Sequence, residues 1–124
     1  MNNTLVSRIA ILVYSLVLIV FGLGHFANAS KMAGMVPSFL PGGVIWIYLS
    51  GAALLLAAIA FIINKQVRLA GYLLGVLLLI FVLTIHLPGM MNAKDEMMKM
   101  GSMGNLLKDL AIAAAAFYIG SKNE

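Results

Sequence analysis

The amino-acid sequence predicts an all-α integral membrane protein, a four-helix bundle running up-down-up-down with two longer links on one membrane face. It reads as a single transmembrane domain over residues 1–124. Composition is the first reason. The chain is 63% hydrophobic and 10% charged, against roughly 45–50% and about 25% in soluble domains. So little polar surface cannot cover a soluble core, and lipid is the solvent that suits it. The second reason is a series of four apolar stretches, three of them about 20 residues long, the length of a membrane-crossing helix. The third is backbone chemistry. In hydrocarbon only helices or closed barrels satisfy every peptide group, and these runs are too long and non-alternating for barrel strands.

Helix one is expected at about 4–24, its apolar run from Leu5 to Leu23 interrupted only by Ser7, Arg8 and Ser15. Arg8, the apolar run and Ala27-Asn28-Ala29 also fit a secretory signal with its cleavage site. The run is long for a signal core, so it is read as a helix. Helix two, 44–63, carries no charge. Residues 64–66, Asn-Lys-Gln, are a tight turn that makes helices two and three antiparallel neighbours. Helix three, about 67–87, has Arg68 at its start and His86 near its end, with Pro88-Gly89 as its stop. Helix four is expected at about 104–120. The stretch from Leu106 to Gly120 is only ~22 Å long as a helix, while a bilayer core is ~30 Å thick. To span, it must draw Lys108 and Asp109 below the membrane surface. Lysine can snorkel to water, and the shorter aspartate cannot do so as easily. Asp109 is therefore expected to face other helices and to find a partner there.

The links at 24–43 and 88–104 fall on one side, and both termini with the short turn on the other. Lysine and arginine tie between the sides: Arg8, Lys65, Arg68 and Lys122 against Lys31, Lys94, Lys99 and Lys108. Arg8 and the short Lys65–Arg68 turn carry the most weight, which favours cytoplasmic termini. Small residues recur at helix-contact spacing in Gly71-x-x-x-Gly75, Ala53-x-x-x-Ala57 and Ala111-x-x-x-Ala115.

Composition also excludes functions. No cysteine is present, which removes disulfides, thiol redox chemistry, iron–sulfur clusters and cysteine-ligated zinc. The net charge of +4 comes from cations scattered singly between apolar runs. Retention at a membrane surface explains them, and no nucleic-acid partner is expected. No nucleophile–base pair, phosphate loop or zinc-peptidase motif appears, so self-contained catalysis is not expected.

The topology brings the uncommon side chains together. His25 follows helix one, Trp46 opens helix two, His86 ends helix three, and Lys108 and Asp109 open helix four, all at the long-link face. Each has an ordinary reading beside the functional one. Asp109 can complement a helix start capped by Asn105, or hold a proton or ligand at lipid depth. The histidines can bond backbone or water at helix ends, or contact a quinone oxygen. They could also ligate haem, or bind a metal with Asp109, but two histidines are a thin set and neither is expected. Trp46 and Tyr48 suit an aromatic belt or a wall for a flat head group. Met90, Met91, Met97, Met98, Met100 and Met103 could take Cu(I). With Lys94, Asp95, Glu96 and Lys99 among them, an amphipathic segment lying on the bilayer is the simpler account, and copper is not expected.

Several segments together resemble the DoxX family of small four-helix membrane proteins: FGLGHF at 21–26, VPSFLP at 36–41, WIYLSGAALLLAA at 46–58 and NLLKDLAIA at 105–113. The resemblance implies a multi-pass protein of the bacterial cytoplasmic (inner) membrane. The family's namesakes are associated with a terminal-oxidase or thiosulfate:quinone oxidoreductase system, other members with membrane oxidoreductase complexes, and related eukaryotic proteins with receptor assembly. The chain departs from many relatives at Ala52-Ala53-Leu54, where an acidic residue often follows the glycine. Any chemistry resting on paired carboxylates is in doubt without that acid. The leading expectation is a non-catalytic subunit or accessory protein of a membrane redox or respiratory complex. Such a protein would dock a membrane-protein partner or a second copy through its Gly/Ala stripes or its long-link face. The alternative is a membrane protein that binds a small ligand, a quinone or a lipid, at the long-link face through Asp109, His25, His86, Trp46 and Lys108.

Overall fold

The structure, a computed structural model, describes residues 3–123. Every element among them is helical. In chain order these are α1 (Asn3–Ala27), α2 (Ala29–Met32) and a 3₁₀ turn (Ala33–Met35), then α3 (Val44–Ile63) and α4 (Val67–Phe81). A π-helical turn (Val82–His86), α5 (Leu87–Met91) and α6 (Glu96–Ser121) follow. By length and composition three stretches can cross a membrane: Thr4–Ala27, Val44–Ile63 and Val67–Met91. Their outward positions are apolar as well as exposed, as Val20, Leu56 and Leu73 illustrate. A surface of this kind is stable against hydrocarbon and unfavourable against water.

The long helices pack as two pairs, α1 along α3 and α4 along α6, with α3 and α4 in contact beside their short turn. Leu18, Leu54, Ala58, Phe61, Leu74, Leu78, Ala113 and Ala116 form the core between them. Tyr14 ties the pairs together, its hydroxyl donating to the Ile112 carbonyl at 2.6 Å. At the opposite end from the long links, Arg8 donates to the Phe61 carbonyl at 3.0 Å and also to that of Ile62. These are C-terminal carbonyls of α3, which have no partner within their own helix. The guanidinium of α1 therefore caps α3 and offsets the negative end of its dipole.

The α4–α6 contact depends on a close backbone approach. A Cβ added at Gly71 would lie 2.6 Å from the Ala116 carbonyl oxygen, and one at Gly75 would strike the Phe117 ring. The Gly71-x-x-x-Gly75 stripe is thus occupied within the chain. Ala111 is exposed, and the buried face of α6 runs instead through Asp109, Ala113, Ala116 and Gly120.

Two sequence expectations need correction. Helix four does not begin near 104. It begins at Glu96, with Asp95 as N-cap accepting from the Met98 amide at 2.8 Å. Methionine, lysine and glutamate favour helix, and Gly101 and Gly104 are tolerated on open faces. The methionine-rich segment is consequently the first turns of α6, not a separate segment in the bilayer plane. At 26 residues, α6 is about 39 Å long, and Asp109 lies in its middle, where helix-start electrostatics do not account for it. Nor does Pro88 stop helix three. The helix widens into a π turn, in which the Leu87 amide donates to the Val82 carbonyl five residues back. It then continues through α5 to Met91. Proline lacks an amide hydrogen and crowds the carbonyl four residues earlier, and the wider turn relieves both problems.

Candidate functional site

The widened turn and the link between α2 and α3 enclose a cavity of about 410 Å³. Its walls are mainly apolar and include Leu18, Phe21, Leu54, Leu78 and Ile112 from the four long helices. Val36, Pro37 and Leu40 of the link fold over its outer side. All five residues singled out from the sequence, His25, Trp46, His86, Lys108 and Asp109, line it.

The central feature is a buried pair. His86 Nε2–H donates to Asp109 Oδ2 at 2.8 Å, and the two residues are 7% and 5% exposed. Each is positioned by an identifiable local feature. π turns concentrate at functional sites, and His86 is the last residue of this one. Asp109 shares the inward face of α6 with Ala113 and Ala116, whose small side chains allow α4 to approach. The Lys108 ammonium lies 3.8 Å from Asp109 Oδ1 and 4.7 Å from the centre of the Phe21 ring. Its side chain is 42% exposed, as expected of a lysine that snorkels from a buried neighbour.

His25 enters from α1. A close crossing places it there, since a Cβ at Gly51 would lie 2.9 Å from the His25 Cβ and 3.1 Å from the Gly22 carbonyl oxygen. Its Nδ1–H donates to the Phe21 carbonyl at 2.7 Å. Trp46 donates from Nε1 to the Pro41 carbonyl at 2.6 Å, which pins the start of α3 to the link. Tyr48 stacks on Phe26 outside the cavity.

Sequence reasoning missed Ser50, Thr84 and the link residues in the lining. The signal for the link was present, because Met35, Val36 and Leu40 are apolar residues in a segment read as a connection. Among the described residues no group of three or more histidine, cysteine or carboxylate side chains is arranged to hold a metal ion. The site can enclose an apolar body and meet one polar end with an oriented imidazole.

A family model described as a domain of unknown function, DUF8561, matches residues 14–118. The chain belongs to this family. Every residue lining the cavity falls inside the DUF8561 match, from Leu18 to Ile112. No curated protein and no solved structure matches the chain.

Proposed function

We propose that this protein binds a small, mostly apolar molecule within the bilayer, with the polar end of that molecule at the His86–Asp109 pair. The reading rests on one observation: a hydrogen-bonded, buried imidazole–carboxylate pair opening into an otherwise apolar cavity. Ligand sites have this general form, apolar walls with a few convergent polar groups. A quinone or a lipid is of suitable character. Docking of a partner subunit through Gly/Ala stripes has less support, because Gly71 and Gly75 already hold α6.

The proposal includes four crossings of a bacterial cytoplasmic membrane, with α6 as the fourth and both termini in the cytoplasm. The DoxX-like segments support this arrangement, as does the packing of α6 against α4, the π turn and α5. The natural absence of cysteine makes it directly testable. Single cysteines placed at Lys94 and at Lys122, which flank α6, are expected to react with a membrane-impermeant thiol reagent from opposite sides, Lys94 from outside the cell. Labelling of both from one side sinks the four-crossing arrangement.

The binding reading is tested by isolating the protein in mild detergent and analysing it by native mass spectrometry. A stoichiometric apolar small molecule is expected on the unaltered protein and is expected to be lost from Leu54→Trp, which fills the cavity from its wall. A folded protein carrying nothing, before and after incubation with membrane lipid extract, rules the reading out.

A further inference from the structure

We infer that the cavity selects a molecule whose polar end is a hydroxyl, a hydrogen-bond donor received by Nδ1 of His86. The inference rests on the binding reading above and specifies the ligand chemistry of the same site. A carboxylate only accepts hydrogen bonds, so Asp109 fixes the His86 proton on Nε2. In the neutral ring Nδ1 then carries a lone pair. No described residue bonds that atom, yet no fully enclosed side-chain nitrogen or oxygen among the described residues lacks a partner. Nδ1 therefore has open space beside it, and the open space next to His86 is the cavity.

The remaining wall has the same polarity. His25 gives its Nδ1–H to the Phe21 carbonyl, leaving Nε2 as a second acceptor. Two donors of the lining, by contrast, are engaged. Trp46 Nε1–H is bonded to the Pro41 carbonyl, and the Thr84 hydroxyl donates to the Ile80 carbonyl at 2.7 Å. The Lys108 ammonium, 3.8 Å from Asp109 Oδ1 and 42% exposed, makes an ion pair there and remains a donor at the open edge of the site. Only Ser50 and Asn105 of the lining can both give and accept freely.

An occupant with carbonyl or ether oxygens alone would set acceptor against acceptor at His86. A hydroxyl satisfies Nδ1 directly. A buried acceptor left without its partner costs more than a made bond gains. The site thus favours an alcohol or phenol over its ether, and a hydroxyl-bearing hydroquinone over the corresponding quinone.

A matched pair of probes tests this. The protein in lipid nanodiscs is titrated with 1-dodecanol and with dodecyl methyl ether, compared at equal mole fraction in the bilayer. The chain's single tryptophan, Trp46, lines the cavity and supplies the fluorescence readout. The alcohol is expected to saturate at about a tenfold lower mole fraction than the ether, the equivalent of one hydrogen bond. Equal or tighter binding of the ether overturns the hydroxyl inference and leaves the cavity reading standing. No response to either probe overturns both.

The Asp109→Asn variant tests the origin of the preference. Lys108 beside Oδ1 keeps the amide oxygen on its side, so the amide N–H₂ faces His86 Nε2. The ring must then carry its proton on Nδ1, which becomes a donor. The alcohol preference is expected to vanish, and its persistence would overturn the tautomer argument. The comparison on the unaltered protein holds whether or not the variant folds.

Discussion

Replacing His86 with phenylalanine is expected to lower the stability of the protein in detergent by about 3 kcal/mol. The loss would appear in an unfolding titration followed by helix content. The ring volume is nearly retained, so the cost comes from Asp109. That carboxylate is 5% exposed and loses its 2.8 Å hydrogen bond. Lys108, 3.8 Å away and half in solvent, compensates only partly. The decisive comparison is the double variant His86→Phe with Asp109→Leu. Removing both members leaves no buried charge without a partner, and pairs of this kind often add little net stability over apolar replacements. The double variant is expected to recover most of the loss. If it is as unstable as the sum of the single variants, the two residues act independently and the pair is not an energetic unit.

A second large effect is expected at Gly71. The Gly71→Ala variant should be about 2 kcal/mol less stable than the unaltered protein, because the added methyl overpacks a tight contact. The atoms it meets are backbone, namely the Ala116 carbonyl oxygen at 2.6 Å and the Gly120 Cα at 2.8 Å. Neither can rotate away, so α4 and α6 must separate. Since α4 leads directly into the turn carrying His86 and α6 carries Asp109, bound ligand should be lost together with stability. The control is Gly101→Ala. Gly101 is within α6 but has nothing within 4 Å of an added Cβ. There the lower backbone entropy of alanine in the unfolded chain should leave stability unchanged or raised by up to about 1 kcal/mol. A neutral Gly71→Ala would mean that the two helices are not held at this spacing.

Hydrophobicity made legible the three stretches able to cross a membrane, since length and scarcity of charge are enough to identify them. The grouping of His25, Trp46, His86, Lys108 and Asp109 was also legible, because alternation of helix direction puts the ends of successive spans on one face. What the sequence did not reveal follows from local geometry and tertiary contact. Residues 88–104 read as a link, yet the Asp95 cap and good helix formers carry α6 straight through Gly101 and Gly104. Pro88 suggested a stop, but one widened turn accommodates it. Gly71-x-x-x-Gly75 and Ala111-x-x-x-Ala115 are equivalent as patterns. Only packing distinguishes the first, which holds α6, from the second, whose Ala111 is exposed. The bond from His86 to Asp109 spans 23 positions and depends on the rotation of both helices, which no spacing rule specifies.

Arg8 has a different role at different times. Chain order means that it leaves the ribosome well before Phe61 and Ile62, whose carbonyls it ultimately grips. During synthesis its charge has no such occupation, and under the proposed orientation it can hold the amino end back from translocation. After assembly the same guanidinium is a strut between α1 and the end of α3. Under that orientation one side chain first steers the nascent polypeptide and afterwards fastens the mature one.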